Sequence, residues 1–238
     1  MTPEWILVPG GWFSMGGGPP DNENPRHEVW LAAFRLARTP VTREQYQQFL
    51  EVTGHPAPPF WREAAFADPR MPAVGPSWED AQAYCAWGAG RLGGTVRLPT
   101  EAEWECAAKA GREVIYPWGD APPEEALPDY RERWRHGPEP VDAYPPLHPW
   151  GLQGMGENVH EWCADWFDPT YYRRSPSRQP AGPESGSRRA SRGGAWRHQI
   201  KASRCAARSA IPPSLRYSDY GFRLAADAVP AAAAGGAA

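Results

Sequence analysis

One cluster of side chains with chemical potential in the C-terminal third is Trp196, Arg197, Arg204 and Arg208. A guanidinium fork can grip a carboxylate or phosphate through parallel N–H bonds, and an indole face offers a stacking wall. Guanidinium groups in loop-rich proteins also serve a structural task, tying loops to carbonyl oxygens. Arg204 and Arg208 read as structural; Arg197 reads either way, facing a cleft or tying a loop. The four thiols are Cys85, Cys106, Cys163 and Cys205, with no C-x-x-C spacing. No basic segment followed by an apolar stretch opens the chain, so free thiols and a cytoplasmic location are expected. The series Glu101, Glu103 and Glu105 reads as helix capping and solvated face rather than as catalytic acids.

Three helices would carry these groups, and each announces its start. Thr42-Arg-Glu-Gln45 is a capping box, with Tyr46, Phe49 and Leu50 on one face and Gly54 as the stop. Ser77-Trp-Glu-Asp80 opens a second helix, with Ala81, Tyr84, Cys85 and Gly88 on one stripe. Thr100-Glu-Ala-Glu103 opens a third, with Trp104, Ala107 and Ala108 inward and Gly111 as its stop. Residues 5–15 suggest two strands joined by a Pro-Gly-Gly turn. Further strands are expected within 28–36, 141–144, 191–197 and 219–226, and a long surface loop over 168–190. The Ala/Gly-rich tail 228–238 reads as disordered, leaving one domain over 1–227.

Composition bounds the rest. The chain has 238 residues and a net charge of −3, a balance that points away from nucleic acid and acidic membranes. No apolar run reaches membrane-spanning length. Thirteen Trp, 29 Pro and 24 Gly imply short elements, long loops and a core packed largely by aromatic rings. The expected class is α+β with little regular secondary structure.

Several ordered stretches go further than this. They are Leu7-Val-Pro-Gly-Gly11, Pro40-Val-Thr42, Val74-Gly-Pro-Ser-Trp78 and Tyr84-Cys-Ala-Trp87. Arg97-Leu-Pro-Thr-Glu-Ala-Glu-Trp-Glu105, Tyr116-Pro-Trp-Gly119, Asn158-Val159 and Glu161-Trp162 follow. Arg192-Gly-Gly-Ala-Trp196, Arg204-Cys-Ala-Ala-Arg208 and Gly221-Phe-Arg223 complete the set. In this order the chain resembles the formylglycine-generating enzyme (sulfatase-modifying factor) family over roughly residues 5 to 227. The resemblance implies a C-type-lectin-like fold variant. It also implies an oxidase that holds copper between two cysteines, because soft thiolates select Cu(I).

This chain departs from that pattern at the chemistry. The stretch Arg197-His-Gln-Ile-Lys-Ala-Ser203, where the resemblance places both cysteines, contains none. His198 stands where the first would fall, Ala195 replaces a serine, His160 a tryptophan and Asp219 an asparagine. The implied cleft is therefore lined by His160, Ala195, Trp196, Arg197, His198 and Asp219, and copper is not expected. The resemblance also implies a Ca²⁺ site on the carbonyls of Glu157 and Val159 and the carboxylate of Glu161, thinned because its side-chain ligand position is Gly154. A weaker Ca²⁺ candidate draws on Asp129 and the carbonyl of Tyr130. Cys85 and Cys205 match disulfide positions whose partners would be Leu224 and Ala108, so both are expected reduced and buried.

The reading that follows is a non-catalytic module holding a peptide, protein or small-molecule ligand. One alternative is a metal-dependent oxidase or oxygenase rebuilt at His160, His198 and Asp219, since two imidazoles and a carboxylate suit a divalent metal. The other is a retroelement-diversified variable binding protein.

Overall fold

The computed structural model describes residues 2–92, 94–127, 137–197 and 200–228. The elements run β1 (Trp5–Val8), β2 (Gly11–Met15), β3 (His27–Leu31), β4 (Phe34–Ala37), α1 (Arg43–Thr53), α2 (Trp78–Leu92), α3 (Glu101–Lys109) and α4 (Pro123–Ala126). They continue with β5 (His160–Trp166), β6 (Arg189–Arg192), β7 (Arg208–Ile211), β8 (Tyr220–Gly221) and β9 (Ala225–Asp227).

The helix starts are those the sequence announces. Thr42 Oγ1 accepts the Gln45 N–H at 3.2 Å while the Gln45 side chain accepts the Thr42 N–H at 2.9 Å. Gly54, at φ 69°, closes α1 in the left-handed region that glycine enters at little cost. Ser77 and Asp80 exchange the equivalent pair of bonds at the start of α2, and Thr100 and Glu103 at the start of α3. The α3 stop comes at Ala110, one residue before the expected Gly111.

Strand pairing differs from the sequence reading. β1 and β2 flank the Pro-Gly turn as expected, but they do not pair with each other. β1 joins β4 and β9 in one sheet, and β2 pairs with β3. The expected strand at 28–36 is two strands, β3 and β4, serving these different pairs. Residues 219–226 likewise divide: β8 adds to the sheet β7-β6-β5-β8, running parallel to β5, while β9 returns to β4. Residues 141–144 form turns instead of a strand. Pro140, Pro145 and Pro146 border them, and proline has no N–H for a ladder. The 168–190 stretch is irregular apart from a 3₁₀ turn at Tyr171–Arg173 and the start of β6.

Two apolar clusters form the core. One surrounds Trp104 and takes in Cys106, Ala108, Cys163 and Cys205. The other surrounds Tyr46, Tyr84, Trp162 and Phe222 and takes in Cys85 and Leu224. All four thiols are free and buried. Burial pushes the Cys85, Cys106 and Cys205 thiols up to about 12, so they pack as small hydrophobes. Trp104 and Trp162 are fully buried. Trp5, Trp78, Trp118, Trp150 and Trp166 are only half-buried. Trp78 and Trp166 sandwich the Arg189 guanidinium, at 3.6 and 3.5 Å from their ring centres.

The glutamate series on α3 corrects the sequence reading. Glu101, Glu103 and Glu105 are not a solvated face: they are 3%, 5% and 0% exposed. Glu105 lies against the Arg192 guanidinium, meets Lys109 Nζ at 2.9 Å and accepts the Gly16 N–H at 2.8 Å. Those cations hold its carboxyl below the ordinary range despite complete burial. Glu101 takes both forks of Arg208 at 3.0 and 2.7 Å. Glu103 takes Arg97 at 2.6 and 2.7 Å. Asp165 accepts the Glu101 N–H at 2.8 Å, and burial followed by the neighbouring Glu101 charge raises its pKa.

Neutralising one member of such a pair strands the other charge in the interior. Glu105→Gln should therefore cost about 3–5 kcal/mol in urea unfolding, and a loss below about 1 kcal/mol would contradict the buried-pair account. His148 supplies a pH-dependent term. Its Nε2–H donates to the carbonyls of Ala107 and Ala108 at 2.9 and 3.2 Å, and Nδ1 accepts the Trp150 N–H at 3.3 Å. Burial pushes its pKa down to about 4. The unfolded chain takes the proton near pH 6.5, whereas the folded chain refuses it until about pH 4, so this contribution is lost as pH falls through that window. Comparing His148→Gln with the parent protein by denaturation at pH 7 and pH 4 should show a shallower loss in the variant, by about 3 kcal/mol.

Candidate functional site

The residues that the family likeness assigns to a cleft gather where β6 ends. β6 stops at Arg192, and Gly193 turns the chain at φ 78°. A Cβ on Gly194 would stand 2.4 Å from Ser203 Oγ and 2.5 Å from the Gly156 carbonyl oxygen, so only glycine lets the turn press onto the 154–158 loop. The Gly194 N–H donates to Gly156 O at 3.2 Å and the Trp196 N–H to Asn158 O at 2.9 Å. Ala195 is buried between them. The Trp196 indole N–H donates to Ser218 O at 3.2 Å, and its ring packs on Phe66 with centroids 6.3 Å apart.

The parallel pair β5/β8 forms the opposite wall. His160 lies in register with Tyr220, and its N–H donates to Asp219 O at 2.8 Å. The imidazole is 2% exposed and packs on the Tyr220 ring, with centroids 5.0 Å apart. Its Nδ1 faces the Gly193 carbonyl, which only accepts, so that nitrogen carries a proton. Asp219 is 1% exposed, and its Oδ1 accepts from Arg197 Nη2 at 2.8 Å. The Arg197 side chain is 42% exposed and lies 5.7 Å from the Trp196 ring centre.

His160, Ala195, Trp196, Arg197 and Asp219 are thus brought together. His198, Asp129 and Tyr130, with residues 229–238 of the tail, lie outside the described residues. Tyr220, Ser218 and Phe66 join the cleft without being anticipated. Tyr220 sits beside the Gly-Phe-Arg motif, but nothing in the local pattern marks Phe66. Arg204 and Arg208 are structural, as read: Arg204 holds Glu23 through two bonds of 2.7 and 2.8 Å, and Arg208 holds Glu101.

The calcium expectation meets an obstacle at Glu161. Its carboxylate is 0% exposed, accepts from Arg223 Nε and Nη2 at 2.7 and 2.6 Å, and accepts the Trp104 indole N–H at 2.7 Å. A divalent ion beside Glu161 would meet a guanidinium already bound in both forks. Among the described residues no group of three or more His, Cys, Asp or Glu is placed to hold a metal ion. Of the set Glu157, Val159 and Glu161, the one side-chain ligand is thus already engaged by protein donors, so we assign Glu161 to the Arg223 ion pair. Millimolar CaCl₂ should leave the melting temperature within 1 °C of the EDTA-treated value, and a rise of several degrees would overturn this assignment.

Residues 1–228 match the family described as "Sulfatase-modifying factor enzyme 1-like domain". A formylglycine-generating enzyme of Streptomyces coelicolor is 36% identical over 292 aligned positions, spanning 94% of this chain and 89% of that protein. Among solved structures, PvdO from Pseudomonas aeruginosa superposes with a TM-score of 0.77 at 26% identity, over 95% of each chain. Treponema denticola variable protein 1 superposes with a TM-score of 0.81 at 26% identity, over 94% of this chain and 95% of that one.

Proposed function

The chain belongs to the sulfatase-modifying factor family, and from that premise we propose that it is a binding member of the family, built on the C-type-lectin-like scaffold and lacking the copper chemistry. The single observation that carries the proposal is the Arg197–Asp219 pair. A buried carboxylate fixes a half-exposed guanidinium at the mouth of the cleft, beside the Trp196 ring. Fixing the cation in advance removes part of the ordering cost of binding. The chemistry that recognises such a mouth is a carboxylate carried next to an apolar or aromatic group, as at the end of a peptide or on a small organic acid. The thiol-free segment 197–203 supports the same reading, because paired thiolates are what Cu(I) requires.

Two measurements test it. An array of peptides in free-acid and amide forms should show preferential retention of the free acids, with Arg197→Ala weakening their binding at least tenfold. Equal retention of both forms, or indifference to that substitution, would sink the proposal. Incubation with Cu(I), oxygen and a cysteine-bearing sulfatase peptide should yield no aldehyde by mass spectrometry; ordinary turnover would do equal damage.

A second reading is an oxidase or oxygenase with a divalent metal at His160, His198 and Asp219. It is favoured by one fact, the backbone hydrogen bond that seats His160 beside Asp219. Against it, Asp219 Oδ1 is committed to Arg197 and His160 Nδ1 to a carbonyl. Stoichiometric iron or copper in purified protein, lost in His198→Ala, would select this reading. The likeness to a protein described as variable in Treponema denticola bears on the remaining alternative, a diversified binding protein.

A further inference from the structure

A cavity of about 250 Å³ lies on the other side of the 154–158 loop from the cleft. Trp118, Tyr144, Pro146, Leu147, Leu152 and Met155 supply its apolar walls. Asn158 lines it too, and is the shared partition: its carbonyl accepts the Trp196 N–H on the cleft side.

The polar groups around the cavity are already mated within the protein. The Asn158 amide accepts the Glu139 N–H at 3.1 Å and donates to Glu139 O at 3.0 Å. Gln153 Nε2 donates to Tyr144 O at 3.0 Å, and the Trp118 indole N–H donates to Ala121 O at 3.0 Å. His148 uses Nε2 on the end of α3 and Nδ1 on Trp150. Glu139, Tyr144 and Glu157 are engaged as well. A ligand bearing a charge would thus lose its hydration with few groups left to replace it, whereas an apolar ring loses nothing.

We propose that this cavity is a second binding site, for a small, neutral, flat aromatic molecule. Size sets the scale: an apolar cavity of ~150 Å³ admits one benzene ring, so the larger volume here suits two fused rings. It lies below the range of drug-sized pockets, about 300–1,000 Å³, which excludes larger ligands. The ligand class is the reverse of that proposed for the cleft, which selects a carboxylate, so the two sites can be told apart.

Isothermal titration of Arg197→Ala protein, whose cleft has lost its cation, isolates the cavity. 2-Naphthol, neutral at pH 7, should bind at one equivalent, and 2-naphthoate at least tenfold more weakly. Ala143→Trp adds a ring at an exposed lining position and should reduce 2-naphthol affinity at least tenfold with the melting temperature unchanged. Leu147→Trp, also exposed and lining, provides a second filling variant should the first perturb folding. Absence of 2-naphthol binding, equal binding of the naphthoate, or indifference to both filling variants would overturn the assignment. None of these outcomes bears on the carboxylate preference of the cleft.

Discussion

The interior of this protein is organised around charges that must not be left alone. Helix α3 turns three glutamates inward, and a buried carboxylate is tolerable only when a cation and hydrogen bonds meet it. None of the arginines that meet them belongs to α3. Arg192 comes from the end of β6, Arg208 from the start of β7 and Arg97 from the segment leading into the helix. Within α3, Lys109 reaches both Glu105 and the Ser14 carbonyl, drawing β2 into the same knot. Arg192 further donates to the carbonyls of Cys205, Ala206 and Ala207. Hydrophobic burial would accept many arrangements of so many aromatic rings; the pairing of these ions accepts far fewer.

The cleft inherits its position from that knot. Arg192 is anchored at Glu105, and five residues later the chain reaches Arg197. The intervening Gly193-Gly194 turn is locked onto the 154–158 loop by its lack of side chains. A second buried pair, Glu161 with Arg223, fixes the opposite wall. Arg223 also donates to the carbonyls of Ala37, Arg38 and Gln153, so β5, the segment after β8 and the end of β4 are joined at one guanidinium. Candidate-site residues therefore sit one to four residues away from fully buried ions: His160 next to Glu161, and Ala195 and Trp196 three and four residues after Arg192.

The parts of this architecture legible in the sequence were those decided locally. Capping boxes at Thr42, Ser77 and Thr100 hold because their partners lie three residues away. Arg204 and Arg208 were legible as structural groups, though not their mates Glu23 and Glu101, which lie 181 and 107 residues distant. Distance likewise hid the partners of Glu101 and Glu105, since Arg208 and Arg192 lie 107 and 87 residues away, whereas Arg97 lies only six residues from Glu103 and was missed as its partner. β1 and β2 were visible as strands, but pairing is a tertiary choice, and a two-residue Pro-Gly link did not make them a hairpin. Of the candidate residues, His160 and Asp219 were named through family likeness, and Trp196 and Arg197 also through their own chemistry. Phe66 and the partition role of Asn158 were not, because the Phe66–Trp196 ring contact and the Asn158 carbonyl's bond to the Trp196 N–H each join residues remote in sequence.

The separation between scaffold and cleft explains how family membership and altered chemistry coexist. Family-like stretches such as Arg192-Gly-Gly, Glu161-Trp162, Arg204-Cys-Ala-Ala-Arg208 and Gly221-Phe-Arg223 supply the buried arginines and glutamate that hold the fold together. Changing one of them breaks an interior charge pair. Ala195, His160 and Asp219 belong to the candidate site, and Asp219 is itself a buried carboxylate that meets the half-exposed Arg197. On the proposed reading, substitution at His160 or Ala195 alters the site while leaving the Glu101, Glu105 and Glu161 ion pairs intact. The fold can accordingly be retained over the length of the chain while the candidate site presents, on the proposed reading, an imidazole, an indole and an anchored guanidinium. Chemistry in this scaffold is decided by the few side chains that the buried ions position but do not employ.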